Sequence, residues 1–283
     1  MMSSELSAIL FGLMSATSWG AGDFSGGIAT KRNPVFNVVI ISQAFGLSLL
    51  IILAFLYSEP FPAFIDITWG GLAGIFGAIG TMFLYQGLAL QNMGEIAPVS
   101  AVITVIIPMV VGMALEGFPT ILQLLGFGIA LIAVWLVSSA NNHGKIQLKT
   151  LKLPIIAGLG FGCFFVVLDQ VSEGSVFWPL AAARVVSVTM LLLLTILLKQ
   201  TEMPQSRQLP IIVLAGIFDV GGNAFFVLAA QIGRLDIAAV LGTLYPVVTV
   251  ILARLILKER MTYQQWIGII AALVSVLLIT AGS

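Results

Sequence analysis

The sequence predicts an all-α membrane protein whose ten transmembrane helices form two inverted five-helix repeats, and three observations predict it. The first is composition, because 59% of the 283 residues are hydrophobic, only 8% are charged and the mean hydropathy is +1.12. An ordinary soluble domain carries about 25% charged residues. The second observation is a series of ten long apolar segments, and the third is an internal repeat with a spacing of 142 residues.

Each apolar segment is long enough to cross a bilayer, whose hydrocarbon core of about 30 Å needs roughly 20 residues of helix. The links between the segments are short, and only 139–152 is longer than a turn. We therefore expect no soluble catalytic domain and no nucleotide-binding cassette, so that energy would come from gradients or exchange. The segments are 6–28, 35–57, 67–90, 94–114, 121–138, 153–171, 177–198, 209–230, 237–257 and 263–280.

The internal repeat divides the chain into a first half at 1–140, a linker at 141–152 and a second half at 153–283. A shift of 142 positions places residues 72–76 on residues 214–218, both of sequence LAGIF, and the match continues beyond them. Since each half holds five helices, an odd number, the second copy must enter the membrane upside down. Inverted repeats of this kind are common in secondary transporters. Further matched pairs are Gly80 with Gly222, Thr120 with Thr262, Gln123 with Gln265 and Gly126 with Gly268.

Positive charges predict the orientation of the chain in the membrane. Ten of the twelve Lys and Arg residues lie in the odd-numbered links or at the segment ends beside them, Arg234 lies on the opposite side and Arg184 lies inside a helix. Because Lys and Arg in short loops favour the cytoplasm, we expect both termini outside and the linker in the cytoplasm. The expected location is the plasma membrane of a prokaryote.

Four ionisable residues of the apolar segments are candidates for a function within the membrane: Asp23, Asp169, Arg184 and Asp219. Each costs from about 2.5 kcal/mol upward at the membrane centre, so such residues usually serve a function. A shift of 146 places Asp23 on Asp169, which predicts two symmetry-related carboxylates at the two mouths of one pathway. The alternative is that either aspartate lies at a helix end among lipid headgroups.

Asp219 lies near the middle of its apolar segment, and Asn223 follows one turn later on the same helix face. Arg184 lies in the interior of its segment, so it is the fixed cation that we expect to be available to neutralise Asp219. Two hypotheses remain open at this point. The pair could be structural and hold helices seven and eight together, or the aspartate could take up a proton or a cationic group in one state and pair with Arg184 in another.

Polar and aromatic residues in the same segments are suited to lining a small cavity. Glycine pairs four residues apart, such as Gly70 with Gly74 and Gly158 with Gly162, are typical of helices that pack closely. The candidate cavity residues are Trp19, Gln43, Tyr85, Gln86, Thr104 and Tyr245.

Several classes of function are not supported by the sequence. His143, the single histidine, lies in the polar linker, and Cys163 is the single cysteine, so we expect no metal site and no cofactor. With a net charge of zero and no basic patch, we expect no nucleic-acid partner. Residues 20–23 spell the GxGD motif of intramembrane aspartyl proteases, but no second aspartate precedes it, as proton sharing would require. We therefore expect no enzyme.

Two stretches resemble the EamA-type family of the drug/metabolite transporter superfamily. They are SATSWGAGDF at 15–24 and GTLYPVVTVILARLILKERMTYQQWIGIIAAL at 242–273, the latter with Pro246 thirteen residues before Glu259. In the first half Thr104 stands at the proline position, and the Lys-Glu-Arg run is replaced by residues 116–118. The resemblance implies a secondary carrier that moves small organic solutes through a central cavity, often exporting amino acids or other metabolites.

These observations together predict an alternating-access carrier of small polar metabolites. Three acids and one base within the membrane favour amino acids or amines over polyanions. We expect an exporter or exchanger, coupled to protons, that works as a monomer or homodimer among membrane lipids. A channel and a lipid scramblase are the alternatives, and a GxGD-type intramembrane aspartyl protease is a remote one.

Overall fold

The structure, a computed structural model, describes residues 4–31, 33–90, 93–139, 152–199, 204–258 and 260–282, without the side chains of 85–90, 93–99 and 138–139. Eleven α-helices and one 3-10 turn at Ser206–Gln208 account for nearly all of these residues. The helices are α1 (Ser4–Thr30), α2 (Val35–Leu56), α3 (Phe64–Leu90), α4 (Met93–Glu116), α5 (Ile121–Ser139), α6 (Lys152–Asp169), α7 (Phe177–Leu197), α8 (Leu209–Ile232), α9 (Leu235–Gly242), α10 (Tyr245–Ile256) and α11 (Tyr263–Ala281).

These helices form the ten predicted spans. Within the described residues, seven spans are long and strongly apolar, and shorter apolar stretches of α4 and α5 supply two more. The tenth span is α1, a more polar helix of 27 residues that lies antiparallel to α8 along its length. The prediction of an all-helical protein with ten spans is therefore confirmed.

The ninth span is not one helix, as the sequence predicted for 237–257, but two. Helix α9 ends at Gly242 and α10 begins at Tyr245, with Pro246 in its first turn. Proline has no N–H to donate to the carbonyl four residues earlier, so the helical hydrogen-bond ladder is interrupted there. The break faces α1, where a Cβ at Gly20 would lie 2.6 Å from the Tyr245 carbonyl oxygen.

The packing of the helices follows the inverted repeat. The pair α1 and α8 corresponds to the pair α6 and α3, and both are among the most extensive contacts in the molecule. Helices α5 and α11 are symmetry equivalents that pack on each other, as are α2 and α7. A pseudo-two-fold axis therefore relates the halves, and buried apolar clusters lie along α6 to α8 and along α4, α5, α9 and α11.

Individual contacts obey the 142-residue register. A Cβ at Gly126 would meet Ser275 and Ile279, and one at Gly268 would meet Ala133 and Val137. The equivalent residues are Gly126 and Gly268, Ala133 and Ser275, and Val137 and Ile279, and the two numbers of each pair differ by 142. The first turns of α5 and α11 also match, since Thr120 and Thr262 form reciprocal capping bonds of 2.9 and 3.3 Å with Gln123 and Gln265 respectively.

The 146-residue register that aligned Asp23 with Asp169 is wrong. The ring of Trp19 lies over Gly222 and the ring of Phe161 over Gly80, so α1 and α6 also correspond by 142. The equivalent of Asp23 is therefore Phe165. The two registers differ by four residues, about one helical turn, and the sequence match was displaced by that turn.

The glycines are needed where backbones nearly touch. A Cβ at Gly216 would collide with the Ser42 carbonyl oxygen, and one at Gly74 would collide with that of Ala183. Backbone atoms cannot move aside as a side chain can. At Gly128, by contrast, a Cβ would meet nothing within 4 Å.

We expect Gly216→Ala to destabilise the fold, because overpacking typically costs about 1–3 kcal/mol. The measurement is thermal unfolding in detergent, with Gly128→Ala as the matched control. The control should unfold within a degree or two of the parent protein. Equal unfolding temperatures for both variants would contradict the packing described here.

Candidate functional site

A cavity of about 130 Å³ lies between the helices of the two halves. Its lining residues come from both halves, on α1 to α4, α6 to α8 and the start of α10. Eight of the ten residues predicted from sequence lie on its wall: Trp19, Asp23, Gln43, Thr104, Arg184, Asp219, Asn223 and Tyr245.

An ion pair joins α7 to α8 at the cavity wall. The Arg184 guanidinium lies 2.5 Å from the Asp219 carboxylate, with the Arg184 side chain 11% exposed and that of Asp219 37% exposed. Helices α7 and α8 otherwise touch at few points. The pair therefore spans part of the cavity and does not reinforce an existing helix contact.

Asn223 holds Asp219 from its own helix. Its side-chain amide donates to the Asp219 carbonyl oxygen at 2.6 Å and to the carboxylate at 3.2 Å. The predicted arrangement on one helix face is what allows this bond, since residues four apart are neighbours on a helix. Asp219 is thus both paired and hydrogen-bonded.

Asp23 is in a different position. Its half-buried side chain lies on the cavity wall within electrostatic range of Asp219 and of the Tyr245 hydroxyl. Among the described residues, no hydrogen-bond donor or cation is paired with its carboxylate. With Asp23, Asp219 and Arg184 all ionised, the described cavity wall carries one negative charge that no protein cation neutralises.

Gln43 and Ser187 tie α2 to α7 beside the ion pair. The Ser187 hydroxyl donates to the Gln43 side-chain oxygen, and a second contact of 3.2 Å joins it to the Arg184 carbonyl oxygen. Ser187 was missed by the sequence analysis, although it lies three residues after Arg184 and so on the same helix face. Both side chains are buried, which fits a role in positioning α7.

Aromatic rings form the part of the wall that the sequence analysis missed. Phe161, Phe164 and Phe165 of α6 line the cavity together with Trp19 of α1. The Trp19 and Phe165 rings stack at a centroid distance of 5.4 Å, and Phe165 stacks on Phe226 at 4.3 Å. The repeat could have revealed Phe161, because it is the 142-residue equivalent of Trp19.

Two predicted residues are not on the described wall. Asp169 is the last residue of α6 and interacts electrostatically with Glu116, away from the cavity. Gln86 lies in α3 among the residues whose side chains are not described, as does Tyr85. Thr104 is on the wall, but its hydroxyl donates to the Ser100 carbonyl oxygen of its own helix at 2.8 Å.

On one side of the molecule, here called the terminal face, hydrogen bonds join the connections between helices. These connections are residues 57–63, 117–120, 170–176 and 233–234. The Glu59 carboxylate accepts from the backbone N–H groups of Val176, Phe177 and Trp178 at 2.9 to 3.2 Å. These N–H groups begin α7, where the helix dipole favours an anion. Asp66 likewise accepts from the backbone and hydroxyl of Ser172 at 2.9 and 3.0 Å.

A second group of bonds on the terminal face joins the end of α4 to the start of α9. Arg234 pairs with the buried Asp236 at 2.8 Å and with Glu116 at 3.7 Å, and it donates to the Gly117 carbonyl oxygen at 2.7 Å. The hydrogen bond to Asp236 raises the pKa of the Arg234 guanidinium, which therefore stays charged. The stacked rings of Trp19, Phe165 and Phe226 lie between the acids and the terminal face. Phe226 is seven residues beyond Asp219, or about 10 Å along α8 toward that face.

No group of three or more His, Cys, Asp or Glu side chains that could hold a metal ion occurs in the part of the chain that the structure describes. The described wall combines one carboxylate without a paired cation, one closed ion pair and one apolar surface. The described groups include none of the nucleophile and base arrangements that acyl transfer would require.

Comparisons with known proteins agree with the fold. The model of the EamA-like transporter family matches the chain twice, over residues 6–139 and 148–281. The chain is 33% identical over 142 residues to "Uncharacterized transporter YdfC" of Bacillus subtilis, a match that covers 48% of the chain and 45% of that relative's length. It is 25% identical over 135 residues, 47% of the chain, to "Uncharacterized protein MJ1333.1" of Methanocaldococcus jannaschii, of which the match covers 98%.

A solved protein crystal structure superposes on the chain with a TM-score of 0.82, and the superposition covers 99% of both chains. The sequences are 15% identical, so this likeness shows the fold alone.

We expect the Arg184–Asp219 pair to be energetically coupled. Arg184→Gln and Asp219→Asn each leave one charge without its partner, whereas the double variant removes both charges. Residues in direct contact typically show interaction energies of about 0.5–3 kcal/mol. Thermal or denaturant unfolding of the four proteins should therefore show a double variant that is more stable than the sum of the single losses predicts. Strictly additive losses would mean that the pair contributes nothing to the fold.

Proposed function

The chain belongs to the EamA-like transporter family, and we propose that it is an alternating-access carrier for small organic solutes that bear an amino group. The single observation that carries the proposal is the Asp23 carboxylate, which has no paired donor or cation among the described residues and lies beside a closed Arg184–Asp219 pair in the cavity. Because this family consists of transporters, the hypothesis of a protease based on residues 20–23 is wrong.

The inverted repeat supports alternating access. In such folds the two halves exchange conformations, and the cavity opens first to one side and then to the other. Here the cavity lies between halves whose contacts are pairwise equivalent. The connections of the terminal face are held together by the Glu59, Asp66 and Arg234 contacts, as we expect of a carrier that opens to one side at a time.

The charge of the cavity supports an amino group as the recognised feature. An isolated carboxylate within the membrane is costly and must pair or be neutralised. A primary ammonium supplies three donors and a charge, which suits the Asp23 carboxylate. A polyanion would instead add negative charge to a wall that already carries a net negative charge.

The size of the cavity supports a small solute. A volume of about 130 Å³ holds on the order of ten water positions of 10–15 Å³ each. A solute of about ten non-hydrogen atoms fits this space. An amino acid or amine is of that size, whereas a nucleotide sugar is much larger.

Proton coupling follows from the same carboxylate. When no ammonium is bound, Asp23 can be neutralised by a proton, so that proton and solute occupy the site in turn. The groups that face Asp23 are Asp219 on α8 and Tyr245 on α10, and Arg184 on α7 lies beyond Asp219. If the terminal face lies outside the cell, the side that is closed in this structure is the outer one. The cavity would then take up its solute from the cytoplasm, as that of an exporter or exchanger does.

We expect saturable counterflow of amines or amino acids in proteoliposomes, stimulated by a proton gradient. Asp23→Asn should abolish the proton-driven component, because an amide neither ionises nor binds a proton. Asp169→Asn is the matched control, a helical carboxylate outside the cavity, and should retain transport within about twofold. Unsaturated flux at high solute would point to a channel, and unchanged proton dependence in Asp23→Asn would contradict the proposed role of Asp23.

We also expect both termini and the terminal face to lie outside the cell. Ten of the twelve Lys and Arg residues belong to the odd-numbered links of the sequence or to the segment ends beside them, and such residues favour the cytoplasm. The measurement uses C-terminal fusions to one reporter that is active in the cytoplasm and one that is active outside it. Activity of the cytoplasmic reporter would reverse the orientation, and with it the proposed direction of loading.

A further inference from the structure

The two halves place different chemistry at equivalent positions of the cavity wall. In the 142-residue register, Asp23 corresponds to Phe165, Asp219 to Gly77 and Asn223 to Thr81. The acids of the cavity therefore lie on the α1 and α8 side, while their equivalents on the α6 and α3 side carry no charge. A solute in this cavity meets the carboxylates of α1 and α8 and, at another part of the wall, the three phenylalanine rings of α6.

The rings of α6 are held in fixed positions by glycines of α3. A Cβ at Gly77 would lie 3.2 Å from Cδ2 of Phe164, and one at Gly80 would lie 2.7 Å from Cδ1 of Phe161. Phe165 is held by stacking between Trp19 and Phe226. Because these contacts define the ring positions, the apolar wall is present before any solute enters.

The net charge of the wall distinguishes between classes of amine. Asp219 is neutralised by Arg184 at 2.5 Å, which leaves Asp23 as the single uncompensated charge among the described residues of the wall. A solute with one positive charge and no carboxylate neutralises it fully. A zwitterion would bring a second carboxylate next to Asp23 and Asp219, where like charges repel.

We propose that the cavity contains an apolar subsite formed by Phe161, Phe164 and Phe165, and that its solute is an amphipathic organic monocation. The ammonium group binds Asp23, and the apolar part of the solute lies against the three rings. This inference rests on the proposed function and narrows it, from amino compounds in general to amines with an apolar group. The acids and the three rings are different parts of the cavity wall, so the two ends of the solute would be bound separately.

The test measures binding of ethylamine, butylamine and hexylamine to the purified protein by thermal stabilisation at constant pH. Burial of one methylene contributes about 0.8 kcal/mol, so each added methylene should lower the apparent Kd about fourfold. Phe161→Ser should reduce this dependence to twofold or less per methylene, and Phe161→Leu should retain most of it. Phe45→Ser is the matched control, because Phe45 of α2 is 48% exposed on the outside of the helix bundle.

A second comparison needs no variant. Norleucine is pentylamine with a carboxylate on the carbon that bears the amine, so the pair isolates the effect of the second charge. We expect pentylamine to bind at least tenfold more tightly than norleucine. Equal or tighter binding of norleucine would overturn the assignment of a monocation.

Failure of the inference can be distinguished from failure of the proposed function. If all three alkylamines bind with the same Kd, or if Phe45→Ser changes the chain-length dependence as much as Phe161→Ser does, the apolar subsite is refuted while amine recognition stands. If no amine binds, or if binding is unaffected by Asp23→Asn, the proposed function itself is refuted.

Discussion

A charge in the hydrocarbon layer must be paired, hydrogen-bonded or neutralised, and the centre of this protein is organised by that constraint. Arg184 and Asp219 satisfy it for each other across α7 and α8, and Asn223 supplies a further bond. Asp23 is left without a partner among the described residues. In the proposed function the ion pair stabilises the cavity, while binding of the solute depends on the carboxylate that the pair does not neutralise.

Close backbone contact makes this arrangement possible. Gly22 of α1 lies against the backbone of α8 next to Asp219, so the two carboxylates approach within electrostatic range. Gly216 and Gly74 bring α8 and α3 equally close to α2 and α7. Without a hydrophobic force between helices in lipid, association depends on such van der Waals packing. The same glycines therefore build the scaffold and set the distances within the site.

Symmetry of the scaffold is combined with asymmetry of the wall. The backbones of the halves are related by the inverted repeat, and the proposed alternating access requires such a relation. The side chains differ between the halves, since Asp23 of α1 and Asp219 of α8 are equivalent in the repeat to Phe165 of α6 and Gly77 of α3. The break between α9 and α10 adds a point at the cavity edge where the backbone ladder is already interrupted by Pro246, and where movement would disrupt few helical hydrogen bonds.

The sequence by itself determined the ten spans, the inverted repeat and eight residues of the cavity wall, because apolar length, repeat spacing and intramembrane charge are properties of the chain. It did not determine the register of α1 against α6, since a shift of one turn keeps the same helix face inward and only the contacts at Gly80 and Gly222 distinguish the two. It also could not show which aspartate is paired, because Asp23, Arg184 and Asp219 are far apart in the chain. Only the tertiary structure decided that, because it brings α7 against the cavity, where the Arg184 guanidinium reaches Asp219 of α8 and not Asp23 of α1.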